Sequence, residues 1–272
     1  MPKKRGGQRK HWAEEARVWV WYCEIKRRCD WSDYALDQAF AWTEEGKAAR
    51  SSDDHRPRTF EWIRKSARKP AGRDPRWRGM IDLVAAVDQH PLFHGTQTLY
   101  MAGFWDVLQE PTSTPSIVQM RIDRLLQING LVRVNPDTAT AIAKLIEKYG
   151  REQVFDRCLL LSLKRMDSLS GMALLWLLYL QTEPAHNWRF RAVIETIADK
   201  LLDDFFSHYF SLDTHLKYYT DAINTLQHIR LDMSDRPPQG YGYIETIGTW
   251  PILPRELIDS ISADQLFYLE AL

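Results

Sequence analysis

Apolar positions recur with helical spacing along most of this chain. Between His11 and Cys29, the residues Trp12, Ala16, Trp19, Val20 and Cys23 fall on one side of a helix, and Val18, Tyr22, Ile25 and Cys29 on another. Two apolar sides predict a helix held between layers or at a partner interface. Asp30 and Ser32 are helix-start residues, so a second helix is predicted over 32–42. Residues 43–57 are polar and turn-rich and read as a loop. A short helix from Arg58 to Ala67 is stopped by Pro70 and Gly72. Pro75 opens another through Val87, and 98–109 reads as one continuous helix.

Pro111 to Pro115 is the best linker candidate, and beyond it the signals sharpen. Val118, Ile122, Leu125 and Leu126 give one apolar side, with Gly130 at the C-terminal cap. Residues 131–134 read as a short strand. Asn135 then caps a helix with Pro136 at its first position, ended by Gly150, its stripe being Ala139, Ile142, Ile146 and Tyr149. Two apolar helices follow over 152–166 and 171–181. Asn187 caps a long one with Phe190, Ile194, Ile197, Leu201 and Phe205 on one face, and Asp213 opens the next, through Ile229. Residues 236–254 read as a long Pro/Gly/Tyr loop, and Ser262-Ala-Asp-Gln265 is a capping box for a last short helix. The expected class is therefore all-α, divided into a basic arm (1–10), a basic helical domain (11–110) and a larger helical domain (116–272).

Charge sharpens this division. Net charge is zero over 272 residues, but 1–80 hold 20 lysines and arginines against 12 aspartates and glutamates, a balance of +8. The other 192 residues carry 16 against 24, a balance of −8. Seven of the eleven tryptophans lie in the basic part. Such asymmetry implies surfaces with different partners, one of them a polyanion, or else the basic part docking on the acidic part. The three cysteines form no C-x-x-C pair, and the basic start at 1–10 has no apolar run behind it. The longest apolar run, 172–180, is too short to span a bilayer. These features place the expected protein in the cytoplasm.

The basic part carries the chemistry. A helix ends in Glu24-Ile-Lys-Arg-Arg28, another opens at Ser32 with Leu36 four residues on, and Arg58-Thr-Phe-Glu-Trp-Ile-Arg-Lys-Ser-Ala-Arg-Lys-Pro70 follows the loop. An amphipathic stretch, Met80 to Val87, closes the group. This part resembles the lambda-repressor/Cro type of helix-turn-helix domain, over about the first third of the chain. In that family the second helix opens with Ser and carries a Leu four residues later. Its recognition helix has two apolar residues three apart, a small residue, and a basic run ending in Pro. Phe60 and Ile63 match the inward pair, Ser66 the small residue and Arg68-Lys69-Pro70 the closing run, with Leu83, Val84 and Val87 sealing the core. The resemblance implies duplex-DNA binding and transcriptional or mobile-element regulation of bacterial type. The sequence departs from the family in three places. Some fifteen residues stand where the family has a short turn, Asp37 follows Leu36 where a small alanine is usual, and Trp62 falls on the outer side.

Physical reasoning agrees with the resemblance. A recognition helix needs one apolar face to hold it and one basic face free to enter a major groove about 12 Å wide. With Phe60 and Ile63 inward, Arg58, Thr59, Glu61, Arg64 and Lys65 lie outward or on the flanks, and 56–78 hold nine basic and two acidic residues. Arg64 and Lys65 are placed to read base edges, and Arg68, Lys69, Arg73 and Arg76 to hold phosphates. The arm (Lys3, Lys4, Arg5, Arg9 and Lys10) adds groove or backbone contacts. The 116–272 domain is expected to dimerise, receive a signal or hold a partner.

Other constellations give weaker signals. His90 and His94 are four apart, but Pro91 breaks the helix between them. Asp204 and His208 share a helix face, which an ordinary i, i+4 interaction explains. Cys23 and Cys29 sit beside Lys26, Arg27 and Arg28, which would lower a thiol pKa, yet fall on opposite faces. No G-x-S-x-G, Walker loop, G-x-G-x-x-G or H-E-x-x-H is present. No catalytic residue, metal or cofactor is therefore expected. Two rival readings stay open: an all-α adaptor or structural subunit whose Trp/Arg-rich N-terminus is a protein interface, and a hydrolase or nuclease with dispersed acidic residues.

Overall fold

A computed structural model describes residues 11–41, 58–70, 82–109, 112–181, 188–228, 230–231 and 251–267. The chain is mostly helical, and it falls into two compact units. The first comprises the described residues of Met1–Gln109 together with Ser207–Ala222; the second comprises those of Glu110–Phe206 and Ile223–Leu272. The segment 207–222 thus belongs with the N-terminal unit, whereas the sequence alone assigns it to the C-terminal domain.

The first unit is built on α1 (Trp12–Arg28), which buries Ala13, Ala16, Val18, Val20, Trp21, Tyr22, Glu24 and Ile25. The two apolar sides read from the sequence explain this width, but Trp21, fully buried, belongs to neither set. Around α1 stand α2 (Asp33–Leu36, prolonged by a π-helical turn Asp37–Ala41), α3 (Thr59–Ser66) and α4 (Leu83–Asp88). A 3-10 turn (Pro91–Phe93), α5 (Thr96–Tyr100) and α6 (Gly103–Gln109) complete the N-terminal stretch. Trp21 is the centre of the core: its ring stacks on Phe60, centroids 6.1 Å apart, and meets Tyr100 edge-on at 5.9 Å. Leu36, Ile63, Leu83, Val84 and Val87 close over the same cluster. A second aromatic group joins Trp31, Phe40, His90 and Phe93.

Residues 98–109 are two helices, not one. The break falls at Met101, where the Trp105 indole Nε1 donates to the Leu99 carbonyl at 3.0 Å. That bond takes a carbonyl that a continuous helix would use, and Gly103, a poor helix former, begins the next helix.

In the second unit, Thr112–Ser113 (β1) pairs in parallel with Arg230–Leu231 (β3). Pro115 occupies the first turn of α7 (Pro115–Ile128), whose Val118, Ile122 and Leu126 are buried. Gly130 supplies the left-handed residue past its end, at φ +64°. The expected strand is present as β2 (Leu131–Arg133), and its antiparallel partner is β4 (Ile252–Pro254). The end of the long loop expected over 236–254 is therefore a strand. Ser162 fixes it by donating to the Ile252 carbonyl at 2.7 Å.

The helix expected from Asn135 starts later. Asn135 instead closes a turn, its side chain accepting from Asp137 N at 3.0 Å and its carbonyl from Thr138 N at 3.2 Å. The helix α8 then runs Thr140–Tyr149. Next along the chain come α9 (Arg151–Leu163), α10 (Ser168–Gln181), α11 (Trp188–Tyr209) and α12 (Leu212–His228), the last of which belongs mostly to the first unit. Helix α10 is apolar nearly all round and correspondingly buried, from Leu169 to Leu178. On α11 the buried set is Ile194, Ala198, Leu202, Phe205 and Phe206, with the expected Ile197 and Leu201 at its margin. The capping box forms as read: Ser262 Oγ accepts from Gln265 N at 3.2 Å, and Gln265 Oε1 from Ser262 N at 2.9 Å, opening α13 (Ala263–Phe267).

Because Trp21, on a helix before the 42–57 stretch, packs against Phe60 and Tyr100 on helices after it, Trp21→Ala is expected to lower the stability of the first unit by about 3–5 kcal/mol. Urea denaturation followed by far-UV circular dichroism measures this.

Candidate nucleic-acid interface

Helix α3 has no capping side chain of its own at Arg58. The cap comes from α2: the carboxylate of Asp37, only 3% exposed, accepts from Phe60 N at 3.1 Å. An acid at this position, a departure from the helix-turn-helix pattern, thus meets an N-terminal amide and the positive end of the helix dipole. The π-helical turn beginning at Asp37 leaves both Asp37 and Phe40 buried. At the other end Ala67 adopts a left-handed conformation, φ +45°, with its N–H on the Ile63 carbonyl at 2.8 Å. Beyond this reversal the Arg68 guanidinium lies over the Trp62 ring, 5.3 Å from its centroid.

Phe60 and Ile63 are buried, as their spacing requires. The opposite face is in solvent: Trp62 is 51% exposed, and Arg58, Arg64, Lys65, Ser66, Arg68 and Lys69 are exposed, with Thr59 and Glu61 on the flanks. Several of these charges are paired. Glu61 receives Lys65 Nζ at 2.6 Å and lies 3.9 Å from Arg58 Nε. Arg64 Nε donates to Asp33 Oδ2 at 2.7 Å, and Asp33 Oδ1 accepts from Tyr22 Oη at 2.6 Å. Burial pushes the Asp33 carboxyl upward, but the bonds from Tyr22 and Arg64 outweigh it and hold the group below its ordinary value. For Tyr22, burial and the bond to Asp33 both push the phenol up.

Arg73, Arg76, Lys3, Lys4 and Arg5, also named from the sequence, lie outside the described residues, as does the loop read over 43–57. Tyr22, Asp33 and Asp37 were not among the sequence candidates. The helix-start residues read from the sequence are Asp30 and Ser32, not Asp33, and nothing local to Asp37 reveals that it caps a helix 23 residues later.

Elsewhere, His90 Nδ1 accepts from Leu92 N at 3.3 Å, capping the 3-10 turn that follows, and the His94 ring is 3.7 Å from Asp88. No group of three or more metal-ligating side chains occurs among the described residues. Burial raises the Cys23 thiol to about 11, opposite to the lowering its basic neighbours suggest, and Cys158 to about 12. No helix among the described residues is long and apolar enough to cross a membrane.

Compared with known protein families, with curated proteins and with solved structures, the chain matches none of them.

The geometry yields two expectations. Asp37→Ala leaves the Phe60 N–H buried without this acceptor and is expected to cost about 1–3 kcal/mol, whereas Asp37→Asn, which keeps an acceptor oxygen, loses less. Urea melts of both variants compare them. The depressed Asp33 carboxyl stabilises the fold fully above its unfolded value near pH 4, and that contribution disappears as pH falls through the lower folded value. The stability difference between wild type and Asp33→Asn is therefore expected to be constant above about pH 5 and to shrink below about pH 4, as measured by urea melts from pH 7 to pH 3.

Proposed function

We propose that this protein binds duplex DNA through α3, as a transcriptional or mobile-element regulator of bacterial type. One observation carries the reading: α3 is held by Phe60 and Ile63 in a core shared with Leu36, Leu83, Val84 and Val87, while its basic face stays in solvent. This is the division of labour a groove-reading helix needs. Arg68 and Lys69, past the helix end, are positioned for phosphates, and Arg64 and Lys65 for base edges. Arg73, Arg76, Lys3, Lys4 and Arg5 would add phosphate or groove contacts. Binding without catalysis is the mechanism, and no cofactor is invoked.

A second reading, an adaptor or assembly subunit, is favoured by the same exposed Trp62 with Arg68 over its ring, since Trp and Arg are frequent interface anchors. In the second unit, Ile117, Met120 and Ile128 are exposed on one side of α7, which supports a partner or a second copy there under either reading.

Fluorescence anisotropy of the full chain with a labelled random duplex, over a salt series, separates the readings. Binding is expected to weaken steeply with salt, with a log–log slope of about 0.9 per phosphate contact. Arg68→Ala plus Lys69→Ala is expected to reduce that slope by about 2. Absence of binding at low salt would sink the DNA reading and direct the search to protein partners by pull-down.

A further inference from the structure

The ion pair between Arg64 and Asp33 has a geometry that a solvent-exposed surface pair does not need. An exposed pair adds little stability. Here the carboxylate is only 18% exposed and both its oxygens are engaged, one by the Tyr22 hydroxyl from α1 and one by Arg64 from α3. Asp33 is itself the first residue of α2, whose start is fixed by Ser32 Oγ accepting from Ala35 N at 3.1 Å. Three helices thus converge on one carboxylate.

The side of the guanidinium that is held matters as much as the holding. Asp33 takes Nε, and among the described residues neither terminal nitrogen of Arg64 has a partner. The fork formed by Nη1 and Nη2 is left free on a side chain that is half exposed. Two parallel N–H donors from one planar group match one base edge in the major groove, the O6 and N7 acceptors of guanine. Holding a long side chain in advance also reduces the freedom it loses on binding.

We propose that Asp33, anchored by Tyr22, is a positioning residue that presents the end-on fork of Arg64 to a guanine in duplex DNA. This inference rests on the DNA reading above and adds to it a base identity and a residue outside α3. Lysine at position 64 would keep the charge but not the fork. Asparagine at position 33 keeps one acceptor oxygen but loses the ion pair and the second engaged oxygen, so it loosens the hold on the fork, and it also removes a negative charge from the DNA-facing side. Specificity and affinity are therefore expected to move in opposite directions.

The test is selection from a randomised duplex library by the full-length wild type, Arg64→Lys, Asp33→Asn and Tyr22→Phe, followed by titration of the selected site and of unselected random duplex. Wild type is expected to select a fixed guanine, preferred over other bases by about 5- to 150-fold. Arg64→Lys and Asp33→Asn are expected to flatten that position alone, with binding of Asp33→Asn to random duplex at low salt equal to wild type or tighter. If Asp33→Asn does not fold, as judged by circular dichroism, Tyr22→Phe carries the test through a smaller loss at the same position. A guanine preference unchanged in Asp33→Asn, or in Tyr22→Phe where that variant carries the test, overturns the proposal. So does wild type that binds random duplex but selects no guanine, while the DNA reading stands. If wild type binds no duplex at all, both fall.

Discussion

The buried carboxylate of Asp37 is the constraint on which the N-terminal unit turns. Helix α3 begins after a stretch far longer than the short turn of a helix-turn-helix, so chain connectivity alone does not fix where it sits. The bond from Phe60 N to Asp37 fixes it. Phe60 can then stack on Trp21 and Ile63 enter the same core, and every outward residue of α3 takes its direction from those two. A polar group inside an apolar core is costly unless bonded. Here its bond also registers one helix against another, as a short connection would have done.

Much of this arrangement was legible in the sequence because it depends on local spacing. Phe60 and Ile63 three apart, Ser32 with Leu36 four residues on, and Ser262 with Gln265 each specify a face or a cap within about one turn of helix. What failed depended on competition for the same backbone groups. Asn135 looked like a helix cap and instead closes a turn, and a tryptophan indole takes the carbonyl that would have carried the 98–109 helix onward. The candidate site divides in the same way. Its exposed face followed from periodicity, but Tyr22 and Asp33 are separated by eleven residues, and Asp33 and Arg64 by thirty-one. Such pairings exist only once helices are packed, and no pattern along the chain records them.

Charge tells a similar story at two scales. The sequence shows a strongly basic first third, yet the exposed face of α3 is not an unbroken positive field, because Glu61 and Asp33 lie among its cations. A uniform field attracts any polyanion. Interspersed carboxylates lower that general attraction and tie individual cations to fixed positions, so a surface of this kind trades strength for orientation.

The membership of Ser207–Ala222 in the first unit has a consequence for how the protein is made. About a hundred residues that belong to the other unit are synthesised between the two parts of this one. On a ribosome, where domains tend to fold in order of emergence, the N-terminal helices must wait for a segment that appears late, or fold around a gap and admit it afterwards. Late arrival of Tyr218 and Ala222, both buried, delays completion of the N-terminal unit until most of the other unit has been synthesised, and a chain cut near residue 110 would leave it permanently unfinished.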